Sequence, residues 1–215
     1  YHEEQLLAVI GITGSPEKVR KYAFLAQRIT SLLIREQEIS QYSQHQADKK
    51  QFVISSLLHG DTQNPEYLLK CLKEFQIDPS TPKRLILIHT YSAASGTDFG
   101  IGSVLPEHQI RNLFKDTGIS LYTFRYPGDY LAVTDSFGFP EISGKLHHFA
   151  EKHADTVAVA VGRSVSLYQL GLSLNTAETA LRSLHLSFAG GTCTKPYAVF
   201  DDLTLEIVLS SISQE

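Results

Sequence analysis

The stretch Phe124–Val133 (FRYPGDYLAV) decides the fold predicted for the second half of the chain. Two runs rich in β-branched and aromatic residues, Ile119–Arg125 and Tyr130–Thr134, lie on either side of a Pro-Gly-Asp turn. Proline presets φ near about −65° and glycine accepts positive φ, so this pattern predicts a β-hairpin. Such a hairpin can carry chemistry at its tip, or it can only join two strands.

Strand and helix patterns alternate on both sides of this hairpin. From Arg84 onward the predicted order is β-α-β-β-α-β-α-β-α. The predicted strands are 84–91, 119–125, 130–134, 156–161 and 197–200, and the predicted helices are 106–115, 141–153, 173–188 and 202–211. The first six elements form a ferredoxin-like βαββαβ unit, an antiparallel sheet of four strands with helices on one face. The sequence therefore predicts an α+β fold.

The first third of the chain predicts a strand, a long helix and a short helical lead-in to this unit. Leu6–Thr13 is an apolar run typical of a strand, and Ser15 followed by Pro16 is a helix start. An apolar stripe then follows at alternating steps of three and four residues, formed by Tyr22, Leu25, Ile29, Leu32 and Ile39, with Glu36 in the same register. The stripe predicts either a short coiled-coil seam or packing on a neighbouring domain.

The polar stretch Gln41–Lys50 is the predicted linker, and it can still be helical. Gln51–His59 and the segment after Asn64-Pro65 have amphipathic helix patterns. These limits divide the chain into three predicted parts: residues 1–45, a helical lead-in at 46–82, and a sheet domain at 83–215.

Composition excludes several classes of protein. The 215-residue chain is 42% hydrophobic with a net charge of −4, and it shows no strongly basic patch for a nucleic acid backbone. Cys71 and Cys193 match no metal or redox spacing, and no apolar run approaches the ~20 residues needed to cross a bilayer. We expect a cytoplasmic protein without a membrane partner. Because the chain begins at Tyr1 and contains no Met, we also expect a fragment.

The predicted sheet domain resembles the GGDEF domain of nucleotide cyclases, and the differences from that family decide its expected chemistry. Arg125, Pro127, Gly128, Asp129 and Tyr130 lie where those enzymes carry their signature. Pro127 replaces the first glycine, Tyr130 replaces an acidic residue, and the first strand has no Asp that could bind a metal. Because two-metal chemistry needs several carboxylates, Asp129 alone cannot supply the site. We expect a degenerate hairpin with no catalytic residue, cofactor or metal, in which Asp129 is a turn residue.

Three histidines also raise the question of a metal site. His148 and His153 are five residues apart on a predicted helix, so they do not share a face, and His147 brings no carboxylate cluster with it. A solvated helix face is the favoured interpretation.

Several blocks resemble the carbohydrate diacid regulators, a family of bacterial transcription factors. Val9–Val19 (VIGITGSPEKV) is similar to the last strand and the helix start of their sugar-diacid recognition domain. Phe52–Pro79 resembles the lead-in to their GGDEF-like middle domain. Gly162-Arg163, the helix with Ser173, Ala177 and Leu181, and Val199–Leu203 (VFDDL) resemble later landmarks of that domain.

This resemblance implies a part in transcription regulation. The family binds a diacid such as glucarate, galactarate or glycerate in its N-terminal domain, and DNA through a C-terminal helix-turn-helix. We expect this chain to be the middle of a homo-oligomeric regulator, with most of the diacid pocket and the DNA-binding domain absent from it. The stripe helix would then relay the ligand state. The alternatives are a nucleotide-binding or cyclase-type GGDEF enzyme and a purine-catabolism-type regulator; the Ile10–Glu17 block favours the diacid branch.

Overall fold

The computed structural model describes residues 11, 13–60, 64–91, 105–186 and 196–203. The chain divides into two compact units, Tyr1–Asp48 and Lys49–Glu215. The predicted strand Leu6–Thr13 has only Gly11 and Thr13 among the described residues. The predicted domain limits stay predictions.

Helix α1 (Pro16–His59) is much longer than its two predicted parts. It begins at Pro16, directly after Ser15, as the sequence predicts. The polar stretch Gln41–Lys50 is helical throughout, and the boundary between the two compact units falls inside it. The predicted linker is therefore a continuous part of α1.

The second unit is built on a five-stranded sheet. Its strands are β1 (Lys83–Thr90), β2 (Leu121–Arg125), β3 (Asp129–Asp135), β4 (Val157–Val161) and β5 (Tyr197–Val199). Their order across the sheet is β2-β3-β1-β4-β5. β1 is antiparallel to both β3 and β4, and β5 is parallel to β4. The first four strands thus have the ferredoxin-like order, which confirms the predicted α+β fold, and β5 extends it at one edge.

Helices cover both faces of this sheet. They are α2 (Pro65–Glu74), α3 (Leu105–Asp116), α4 (Phe139–Lys152) and α5 (Leu170–Leu186), together with the end of α1. Leu85 and Leu87 of β1 pack in a core with residues of α1, α2 and α5, and Ile86 and Ile88 pack in a second core with residues of α3 and α4. All four side chains are fully buried. The two helices of the predicted βαββαβ unit, α3 and α4, thus lie on one face as predicted. Because β1 is apolar on both sides, it also needs cover on the opposite face, and α1, α2 and α5 supply it.

Two other predicted segments lie outside most of the described residues. The predicted loop Ser92–Ser103 is not described. Of the predicted helix Asp202–Ser211, only Asp202 and Leu203 are described, and Asp202 ends a short 3₁₀ turn that begins at Phe200.

Candidate functional site

Three charged or titratable side chains form a row across β1, β3 and β2, at the end of these strands next to the hairpin turn. His89 of β1 lies opposite Asp129 of β3, and Asp129 lies opposite Arg125 of β2. Side chains alternate between the two faces of a strand, so Asp129 points to the same face as Leu131, which belongs to the core under α1, α2 and α5. The hairpin therefore places Asp129 beside a hydrophobic core, with the partly exposed Arg125 next to it.

Asp129 accepts hydrogen bonds on both carboxylate oxygens. His89 Nδ1 lies 2.7 Å from Oδ1, and Arg125 donates to Oδ2 from Nε at 3.1 Å and from Nη2 at 2.7 Å. Arg125 Nη1 also donates to Glu178 Oε1 of α5 at 3.0 Å. The four residues form one network, here called the Asp129 network, that joins three strands to a helix. Asp129 does more than shape a turn.

The Asp129 network changes the ionisation of its members. Burial alone would raise the pKa of the Asp129 carboxyl, but the hydrogen bonds and charges of His89 and Arg125 outweigh it and lower that pKa below its usual range. Burial likewise opposes the charged form of Arg125, yet Asp129 and Glu178 raise the pKa of its guanidinium. Asp129 is therefore a carboxylate at neutral pH, held by its neighbours.

Gly128 brings the turn close to the end of β1. Its carbonyl oxygen accepts from the Thr90 backbone N–H at 2.9 Å and from Thr90 Oγ1 at 2.8 Å. A Cβ at this position would lie 2.8 Å from Thr90 Oγ1 and 2.9 Å from the Thr90 carbonyl oxygen. Glycine is needed here for close approach, and its φ is not in the left-handed region.

The other hairpin residues face elsewhere. Tyr130 is buried in the core under α3 and α4, and its ring lies 5.1 Å from that of Phe124. Pro127 is exposed at the tip, next to Tyr126, which is 86% exposed. The structure thus separates the five predicted hairpin residues: Arg125 and Asp129 join the network, whereas Pro127, Gly128 and Tyr130 shape or anchor the turn.

A surface cleft of about 490 Å³ lies beside the Asp129 network, within the second unit. The last turns of α1 form one wall, and β2 and the start of α5 form the others. Its lining includes Arg125, Leu131 and Asn175. The sequence reasoning missed this cleft because its walls come from three segments that are at least 40 residues apart in the chain.

The stripe of α1 lies on the surface in the first unit. The exposed fractions are 67% for Tyr22, 54% for Leu25, 48% for Ile29, 60% for Leu32 and 61% for Ile39. Phe24 and Leu33, on neighbouring positions, are 64% and 59% exposed. Large apolar side chains in one contiguous stripe are typical of an interaction surface.

The end of α1 belongs to the core of the second unit. Val53, Ile54 and Leu57 are at most 2% exposed and pack with α2, α5 and the sheet. Just before them, Lys49 Nζ forms an ion pair with Glu74 of α2 at 2.9 Å. Lys50 Nζ lies 4.2 Å from the centre of the Tyr122 ring, and burial, with a smaller effect of Arg111, lowers the pKa of its ammonium group.

Among the described residues, no cluster of three His, Cys, Asp or Glu side chains could hold a metal ion. His147 Nδ1 instead lies 3.8 Å from Glu151 Oε2 on the surface of α4. Within the same described part of the chain, no helix is both long and apolar enough to cross a membrane.

Comparison with known proteins bears on the first unit and on the rest of α1. Residues 1–57 match the family model described as "Putative sugar diacid recognition". The match supports the resemblance to the sugar-diacid regulators, and it includes the Ile10–Glu17 block that carried the resemblance in the sequence. It ends in the part of α1 that is buried in the second unit. No curated protein matches the chain.

Proposed function

We propose that this chain is the middle part of a sugar-diacid-responsive transcriptional regulator, in which α1 relays the ligand state of the sensor to the sheet unit. One observation carries the proposal. The segment that matches the diacid recognition family runs to residue 57, and Val53, Ile54 and Leu57 within it are core residues of the second unit. A change in the first part of α1 therefore has a continuous helical path into that core.

The start of the second unit offers a point at which such a change is transmitted. Lys49 and Lys50 are consecutive, and they attach α1 to Glu74 of α2 and to the aromatic ring of Tyr122 on β2. Axial rotation of α1 would alter both contacts and the packing of Val53 together. Coupling of this kind requires two states that the diacid binds with different affinity.

The ligand and DNA would bind outside this chain for the most part. A diacid of the glucarate, galactarate or glycerate class would bind the N-terminal sensor, and a C-terminal helix-turn-helix would bind DNA in the cytoplasm. The GGDEF-like sheet unit would have no enzymatic role. The Asp129 network supports this assignment, since both carboxylate oxygens of Asp129 already accept hydrogen bonds from His89 and Arg125.

A second copy of the chain is the partner that we assign to the α1 stripe, in parallel orientation. With Tyr22 at position a of a heptad, Leu25, Ile29, Leu32 and Ile39 fall on d, a, d and d. Arg28 and Arg35 then fall on g. In an antiparallel pair the g positions of the two helices would face each other and the arginines would repel, whereas in a parallel pair they face Leu33 and Ser40 of the other copy.

Glu36 gives this assignment a distinctive test because it lies at an a position of the seam. In a parallel dimer Glu36 meets its own copy, which costs stability, so Glu36→Leu should tighten the dimer while Ile29→Ser weakens it. Analytical ultracentrifugation of both variants measures the change in the dimer dissociation constant. An unchanged constant in both would exclude the seam as the dimer contact.

The relay itself is tested in the full regulator that contains this chain. We expect Ile29→Ser/Leu32→Ser to reduce the effect of glucarate on operator affinity at least several-fold. A matched control, Gln27→Ser/Gln37→Ser, changes exposed polar positions of α1 and should leave the ligand effect intact. The relay is wrong if glucarate changes operator affinity equally in both double variants.

A further inference from the structure

The cleft beside the Asp129 network has an apolar floor and a polar rim. Ile54 of α1 and Leu131 of β3 are buried at its base. Ser55, Thr123 and Asn175 stand around the rim, on α1, β2 and α5. Its volume of about 490 Å³ lies within the range of small-molecule sites, which combine apolar walls with a few convergent polar groups.

Three of the rim side chains are uncharged hydroxyl or amide groups. Within the described part of the chain, Ser55, Thr123 and Asn175 make no side-chain hydrogen bond to another protein group. Hydroxyl and amide groups both donate and accept, so they complement ligand hydroxyls, which also do both. Three such groups on three different elements converge on one space.

The charge next to the cleft disfavours an acid. Arg125 is the arginine on its lining, and its guanidinium already donates to the two carboxylates of Asp129 and Glu178. His59 also lines the cleft, with its Nδ1 2.8 Å from the Ser55 carbonyl oxygen. Two carboxylates therefore face one guanidinium. A dianionic sugar diacid would find no uncompensated positive charge on Arg125 and would have to displace these ion pairs.

We propose that this cleft is a second ligand site, for a neutral small molecule with several hydroxyl groups and one apolar face. Its volume suits a disaccharide or a nucleoside, which share this chemistry. A bound ligand would contact α1, β2 and α5 at once and would fix the end of α1 against the sheet. The site would thereby add a second input to α1, distinct from the diacid sensor.

The test is a titration of this chain followed by ¹H–¹⁵N correlation spectra, with maltose, adenosine and glucarate as three separate probes. We expect saturable shifts at Ser55, Thr123 and Asn175 with maltose or adenosine, and the one that saturates identifies the ligand source. Glucarate should not saturate these signals. If neither neutral probe saturates them, or if glucarate binds there as tightly, the proposal is overturned.

Two variants make the result specific to the cleft. Asn175→Trp fills the rim and should weaken binding at least tenfold, whereas Asn112→Trp, on an exposed position of α3, should leave it unchanged. Thr123→Val replaces only the hydroxyl with a methyl group and should weaken binding several-fold even if the tryptophan variant does not fold. Binding that is equal in wild type, Asn175→Trp and Thr123→Val would contradict the assignment. Neither result depends on the relay, which is measured on operator affinity.

Discussion

Replacement of Asp129 by Asn tests whether the Asp129 network stabilises the sheet unit. The carboxylate accepts three hydrogen bonds from His89 and Arg125, and the side chain is only 12% exposed. Asn keeps one acceptor oxygen but turns an amino group toward a donor, so it loses roughly one to two charged hydrogen bonds. Each contributes about 1.5–3 kcal/mol, and since Arg125 keeps Glu178 we expect a loss of about 2–4 kcal/mol.

Urea and thermal unfolding at neutral pH measure this loss. For a unit of this size, about 2–4 kcal/mol corresponds to a fall in Tm of roughly 5–15 °C. Asp155→Asn is the matched control because Asp155 is an exposed aspartate in the same unit, and its replacement should change stability by less than about 0.5 kcal/mol. A loss for Asp129→Asn no larger than that of the control would refute the stabilising role of the network.

Three further predictions concern the same unit. The pKa of Asp129 is lowered in the folded protein, so the ionised carboxylate stabilises the fold fully above the ordinary carboxyl pKa. This stabilisation is lost as the pH falls through the pKa that Asp129 has in the folded protein. The difference in unfolding free energy between wild type and Asp129→Asn should therefore narrow below about pH 4, as measured by unfolding at a series of pH values. Glu178→Gln should lower the free energy of unfolding in urea by less than about 1 kcal/mol, because the Arg125 and Glu178 side chains are 39% and 32% exposed. A larger loss would mean that this pair is stronger than a surface ion pair. Gly162→Ala should destabilise the unit by about 3 kcal/mol or more, because the added Cβ would lie 2.0 Å from the Ser173 carbonyl oxygen. Gly144→Ala, at an open position of α4, should instead stabilise it by about 0.5–1 kcal/mol. Equal effects of the two variants on Tm would contradict the close approach of Gly162 to Ser173.

The sheet topology could be predicted from the sequence because local signals agreed with it. The Pro-Gly-Asp turn at 127–129 predicted the hairpin, and the apolar run of β1 predicted a buried strand, which is the middle strand of the sheet. The same run also contained the signal for cover on both faces, since Leu85, Ile86, Leu87 and Ile88 leave no polar side. This run of four apolar residues therefore indicates a second layer of helices on the opposite face of the sheet.

The spacing of residues in the sequence also indicates which face of the sheet Asp129 lies on. Asp129 lies two and four residues before Leu131 and Val133, and His89 lies two and four residues after Leu87 and Leu85. Residues at a spacing of two line one face of a strand, so both Asp129 and His89 lie on the core face. The pairing of Arg125 with Glu178 had no such signal. It joins residues 53 positions apart, and only the packing of α5 on the sheet brings them together.

The continuity of α1 also could not be read from local preference. The polar stretch Gln41–Lys50 has no apolar stripe, which is typical of a linker as well as of a solvated helix. The burial of Val53, Ile54 and Leu57 in the second unit is a tertiary effect that anchors the end of the helix.

Hydrogen exchange in the last turns of α1 tests the relay most directly. In the full regulator, glucarate should change amide protection at Val53–Leu57, and Ile29→Ser/Leu32→Ser should abolish that change. If glucarate alters operator affinity while protection at Val53–Leu57 stays the same, the signal does not pass through α1 and the relay is wrong.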